Sequence, residues 1–286
     1  MAETKNKKVP ENRKIVSAST GEEVKGGEKK ARAGALSATT PEGQKKAKTM
    51  RFFAVVLWVV GFALEALAYF LIIDYFHFDN TFILALVALG VDLVAVIIGS
   101  QLWKRANDLD PASKQNKLKF WLWNNLGVFA SLVAFLPFII LILSNKEMDG
   151  KNKKVAAVVA LIALIVSGVT SYDFNPVSAE DKIAAQMTAD SMGSGDVYWT
   201  RYGKKYHFYD DCSSLSRSEV LTMGTVNEAF EAGRDSLCKI CEKRADNEGH
   251  LHTGDDLLKS PEDTPEDIVD EPVDEPVDEV DDEEAA

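Results

Sequence analysis

Four long apolar blocks constrain this chain more than any other feature. They cover residues 51–73, 81–103, 120–143 and 155–171. A bilayer core takes about 20 apolar residues as helix, with a lower limit of about 17. The first three blocks pass that length and the fourth just reaches it. No charged face recurs at helical spacing within them, which separates them from the amphipathic helices of soluble proteins. Aromatic residues gather near several block ends (Phe52, Phe53, Tyr69, Phe70, Tyr75, Trp103, Phe120, Trp121, Trp123), as they do at membrane interfaces. The blocks predict four transmembrane helices, and the lipid bilayer is the first expected partner. Whole-chain averages conceal this. A net charge of -12 with 46% hydrophobic residues resembles an acidic soluble protein, but the residue types are segregated along the chain.

The flanks differ in kind. Residues 1–49 contain no aromatic side chain and few large aliphatics. Such a composition buries too little apolar surface to offset ordering entropy, so a disordered basic tail is expected. It lacks the short apolar core of a secretory signal peptide. Residues 247–286 are expected to be a second disordered tail, acidic and carrying the unit Asp-Glu-Pro-Val twice, from Asp270 and from Asp274. Orientation follows from basic residues near the spans. Lys45, Lys46, Lys48 and Arg51 precede the first, and Lys104, Arg105, Lys114, Lys117 and Lys119 follow the second. Both regions are expected inside, with the N-terminus in the cytoplasm. Lys146, Lys151, Lys153 and Lys154 before the fourth span argue the other way. The majority places the C-terminal part in the cytoplasm at a cell membrane.

Polar residues within the spans are the first candidates for chemistry. Glu65 lies just past the middle of the first span and Asp92 at the middle of the second. Antiparallel neighbours would bring the two acids to similar depth. A charge there costs at least about 2.5–3.5 kcal/mol, so such groups face the bundle interior or carry a proton. Asn124 and Asn125 in the third span are candidate partners, though a turn or more away in depth.

All three cysteines lie beyond the fourth span. Residues 173–195 read as a stalk and a linker ending at Gly193-Ser194-Gly195. Two β-rich runs around Gly203 then suggest a hairpin. Thr225 and Glu228 match a capping box ahead of a short helix ending at Gly233. The spacing His207-x4-Cys212-x25-Cys238-x2-Cys241 is the layout of a structural tetrahedral zinc site. A segment of about 50 residues has too little core to fold unaided, and a metal would staple it. Four protein ligands leave no open position for a hydrolytic water. The competing readings are a redox dithiol at Cys238 and Cys241, or a disulfide between them. No βαβ pattern surrounds the pair, which weakens the first. His250 and His252 read as bystanders, and His77 stands alone in the first loop.

The run Asn227-Glu228-Ala229-Phe230-Glu231-Ala232-Gly233 leading into Cys238-x2-Cys241, with an earlier ligand pair, resembles the zinc-binding domain of the bacterial Ada DNA-alkylation-repair protein. Tyr206-His207 through Cys241 is also similar to short modules appended to bacterial membrane and secreted proteins. The resemblance implies a bacterial multi-pass membrane protein with a zinc fold. Ada ligates through four cysteines, whereas His207 takes the first position here, so no DNA-repair activity is implied. Residues 197–246 also show no surplus of Lys and Arg over Asp and Glu, so nucleic acid is not an expected partner.

The expected class is thus an α-helical multi-pass membrane protein with a small α+β, zinc-knuckle-like domain over residues 196–246. Its expected role is non-enzymatic, displaying a structural Zn2+ module to an unknown protein partner; self-association into a homo-oligomer is left open. No nucleophile–base constellation, phosphate loop or His-Glu-x-x-His is present. Two alternatives stand beside it. One is a small proton- or cation-coupled transporter using Glu65 and Asp92. The other is a membrane-tethered thiol redox protein.

Overall fold

The computed structural model describes residues 13–24, 36–73, 80–146 and 148–259. The acidic stretch 262–286 and His77 lie outside them. Four helices are long and apolar enough to cross a membrane: α1 (Pro41–Ile72), α2 (Thr81–Leu109), α4 (Leu126–Ser144) and α5 (Gly150–Ser171). Their packing stripes combine small residues with a few large ones such as Leu89, Phe135 and Phe138. Ala54, Ala68, Ala85, Ala134, Ala156 and Ala160 are fully buried. Large residues such as Val59, Ile83, Val87, Val133, Val158 and Ile165 face outward. This is the reverse of a soluble bundle. Small side chains at the contacts let the helix backbones approach closely. Gly127 shows how closely: a Cβ there would fall 2.6 Å from Ser100 Oγ on α2.

The first helix begins ten residues before its apolar block. Thr40 caps it by accepting from the Gly43 N–H, and Pro41 occupies its first turn, where a missing N–H costs nothing. The third block is interrupted. A short helix α3 (Lys117–Asn124) ends at Asn125, and α4 starts after it. The cause is local. Asn124 Nδ2 donates to the Phe120 carbonyl and Asn125 Nδ2 to the Trp121 carbonyl, each at 2.9 Å. Side-chain amides that bond carbonyls four residues back compete with the helical ladder. The membrane-length part of the third block is therefore the 19-residue α4.

Beyond α5 the chain folds into α6 (Ala179–Ser191), β2 (Val197–Trp199), β3 (Lys205–Tyr206), a 3-10 turn at Ser213–Leu215, β4 (Val220–Gly224), α7 (Val226–Glu231), β5 (Ser236–Leu237), α8 (Lys239–Asn247) and α9 (Gly254–Lys259). One core holds them, including Val197, Trp199, Phe208, Leu221, Val226 and Phe230. Around Gly203 the two expected runs are joined by a single antiparallel bridge, Tyr198 and His207 exchanging backbone bonds of 2.7 and 2.8 Å, while β2 pairs with β4 and β3 with β5 in separate sheets. The capping box at Thr225 and Glu228 is formed, and Gly233 follows the helix with φ +84°.

Three expectations need correcting. Residues 1–49 are not uniformly a tail. β1 (Lys14–Ser17) pairs in parallel with β4, Ile15 opposite Leu221, at the edge of a sheet ordered β1-β4-β2. A short run that composition reads as solvated gains its partners from the far end of the chain. Residues 173–195 are not a free stalk. A capping box of Ser178 and Asp181 starts α6, and buried Glu180 accepts from Ser113 Oγ and the Lys114 N–H. Residues 247–259 are not part of a tail either, because α9 packs on α6 through Leu257 and Ile183.

These contacts dock the C-terminal domain on one end of the bundle, where α1 begins and α2 ends. Arg105 on α2 donates to the Phe230 carbonyl at 2.7 Å. Glu231 receives Thr40 Oγ1 and pairs with Lys46 at 3.4 Å. Lys182 on α6 is buried, with its amine at 3.4 and 3.3 Å from the Asp108 and Leu109 carbonyls and 4.6 Å from the Phe230 ring centroid. It satisfies carbonyls that the end of α2 leaves open.

Candidate metal centre

The four spaced residues converge. One donor atom from each of His207, Cys212, Cys238 and Cys241 lies within 4.8 Å of all the others. All four side chains are buried, at 1–6% exposure. Cys212 Sγ and Cys238 Sγ are 4.0 Å apart, and Cys241 Sγ is 3.6 Å from His207 Nδ1. The cysteines are free, and 4.0 Å is about twice a disulfide bond.

Each ligand sits at the end of an element that holds it still. His207 follows β3 and is pinned through its backbone to Tyr198. Cys212 opens the 3-10 turn, and its carbonyl accepts from the Leu215 N–H at 2.8 Å. Cys238 occupies the N-cap of α8, with its own N–H on the Tyr206 carbonyl at 3.0 Å. Cys241 lies in the first turn of that helix. The x2 spacing thus places one sulfur just before the helix and one just inside it, aimed at a common point.

A polar group also lies beside the sulfurs. The Ser214 hydroxyl is 3.8 Å from Cys238 Sγ. Neighbouring Cys241, and after it His207, draw the Cys212 thiol down against the cost of burial, while neighbouring Cys212 and burial push the Cys241 thiol up. A bound cation would take the protons off such thiols.

The largest omission from the sequence reading is Arg13. Its guanidinium reaches the loop that carries Cys212, donating to the carbonyls of Asp210, Leu215 (2.8 Å) and Ser218 (3.2 Å). Nothing in the spacing near the cysteines signals a partner so far away in sequence. On the opposite side, Arg244 stacks on the Tyr209 ring at 3.9 Å and pairs with Asp211 and Glu248. His250 and His252 are not in the cluster; the His252 N–H bonds Thr188 Oγ1 and ties α9 to α6.

The polar residues of the apolar blocks divide. Glu65 and Asp92 are both buried within the bundle. Asn124 and Asn125 do not join them. Asn124 Oδ1 accepts from Asn107 at 3.2 Å, and Asn125 Oδ1 accepts from the Asp173 N–H at 3.3 Å. They fasten the break between α3 and α4 to neighbouring elements.

Comparison with protein-family models, curated proteins and solved structures finds no match. What the fold and site define by themselves is a chain with four membrane-length apolar helices and a buried group, His207/Cys212/Cys238/Cys241, that could hold a metal ion.

Proposed function

We propose that this is a non-enzymatic integral membrane protein whose bundle presents a structural zinc module to a protein partner at the cytoplasmic face. The convergence of one imidazole and three thiols in a buried core carries the reading. Three sulfurs and one nitrogen are a donor set that zinc prefers. A tetrahedron with metal–sulfur bonds of about 2.3 Å has edges of about 3.8 Å; the 4.0 and 3.6 Å separations lie on either side of that value. A complete protein shell leaves the ion no position for substrate, which favours a structural role. The likeness of this segment to the Ada zinc domain agrees with such a module.

Sidedness is supported by the docking. The module lies at the bundle end that carries Lys45, Lys46, Lys48, Arg51, Lys104, Arg105, Lys114, Lys117 and Lys119, and basic flanks favour the cytoplasm. Thiols are also kept reduced there. Two measurements test the reading. Purified full-length protein is expected to contain about one zinc per chain, lost in Cys238→Ser and kept in His250→Ala. Zinc retained in full by Cys238→Ser would overturn the site. A protease site placed after Lys259 is expected to be cut only once cells are opened; cutting in intact cells would overturn the orientation.

A further inference from the structure

Two carboxyl side chains lie inside the helix bundle with oxygens that nothing satisfies. Asp92 on α2 is 0% exposed and Glu65 on α1 is 9% exposed. Among the described residues, Asp92 Oδ1, Asp92 Oδ2 and Glu65 Oε1 have no hydrogen-bond partner. Gly61 makes the room for this, because a Cβ at that position would fall 2.6 Å from Asp92 Oδ1. Glu65 lies one turn further along the same face of α1. The two acids therefore face the same seam between α1 and α2, about one helical turn apart.

An ionised pair at this depth is costly, and among the described residues no cation lies beside it to offset the charge. The elements packed around the pair are α1, α2, α4 and α5. No Lys or Arg occurs in α1 after Arg51, in α2 before Lys104, in α4, or in α5 after Lys154. Tyr69, one turn past Glu65, is the remaining titratable side chain at this level. Lys104 is 12 residues from Asp92, about 18 Å along the helix. A metal cation would want about six oxygens, while the helical carbonyls here are committed to their own ladders. A proton needs one carboxyl oxygen and a neighbour to share it.

The surroundings of the pair are asymmetric. Towards the metal-binding domain, an apolar layer of Val96, Ala134, Phe135 and Ala163 lies against the pair, and polar groups begin only beyond it. Ser100 and Ser171 meet at Gly127, and Ser171 Oγ has no partner. Asn107 then bonds Asn124 at 3.2 Å, and Arg51 reaches Asn107 at 3.3 Å and Asp110 at 2.6 Å. Towards the other end, the bundle is filled by Ala68, Leu71, Ala85, Leu89, Phe138 and Ile142. We infer that Glu65 and Asp92 form one proton-binding site, shared between the two carboxyls. Binding converts one carboxylate to a carboxylic acid that donates to its neighbour. This inference rests on the membrane reading of the helices and is independent of the zinc.

Dicyclohexylcarbodiimide, which enters apolar sites and modifies protonated carboxyls, provides the test. Full-length protein is reconstituted in phosphatidylcholine vesicles and modified residues are mapped by mass spectrometry. Modification is expected at Glu65 or Asp92, falling as pH rises and unchanged by added sodium chloride. No modification of either residue at acidic pH, or protection by sodium, would overturn the proton site. Asp92→Asn keeps the shape of the side chain and is expected to change the pH profile of Glu65 modification; an identical profile would refute sharing. Because the readout is on the carboxyls, it gives the same answer whether or not zinc occupies the cysteine site.

Discussion

Replacing Arg13 with alanine tests whether the N-terminal strand is part of the metal centre. The guanidinium makes three hydrogen bonds to carbonyls on either side of Cys212, while the β1–β4 ladder itself uses only backbone groups. The variant removes the clamp and leaves the strand. A hydrogen bond from a charged donor contributes about 1.5–3 kcal/mol when buried and less when half-exposed. At about 1 kcal/mol each for this partly buried side chain, the loss is about 3 kcal/mol. If the 210–218 loop is ordered mainly when metal is bound, that energy appears in metal affinity, as about a hundredfold weakening. Groups supporting metal ligands have effects of that size. The assay is competition for zinc against a chelator of known affinity, with the full-length protein in detergent. Arg13→Lys keeps the charge but offers no planar fork, so it should recover only part of the loss. An affinity for Arg13→Ala within twofold of the parent would refute the argument and reduce β1 to a passive edge.

Two further perturbations probe the packing. Burial, the largest influence, pulls Lys182 down from 10.5 to about 7, opposed by Asp108, Asp110 and Glu231. Between these values the unfolded chain binds more protons than the folded one, so stability should rise with pH from about 7 towards 10.5. That gain is lost as pH falls through 7, and Lys182→Met should flatten the slope in thermal melts taken across this window. Gly127→Ala would press a Cβ onto Ser100 at 2.6 Å and is expected to destabilise the bundle by about 1–3 kcal/mol, seen as a lower melting temperature in detergent; an unchanged melt would contradict the close approach of α2 and α4.

Elements whose stability is decided locally were legible in the sequence. The apolar blocks declare themselves by length, the capping box at Thr225 by its residue types, and the grouping of His207, Cys212, Cys238 and Cys241 by spacing. What escaped depends on contacts that span the chain. Lys14–Ser17 is four residues long and becomes a strand only because β4 lies some two hundred positions away. The early start of α1 was encoded in Thr40-Pro41, but a composition average over residues 1–49 obscures it. The burial of Lys182 and Glu180 reverses the usual expectation for charged side chains and follows from the open carbonyls of α2 and the N–H and hydroxyl groups of the loop after it. Asn124 and Asn125 were read as polar residues at membrane depth, whereas their amides bond the preceding turn and break the helix.

X-ray absorption at the zinc edge of the purified full-length protein tests the central claim most directly. The account predicts a first shell of three sulfurs at about 2.3 Å and one nitrogen at about 2.0 Å, with the nitrogen lost in His207→Ala. A shell dominated by oxygen, or a spectrum unaltered by that substitution, would contradict it.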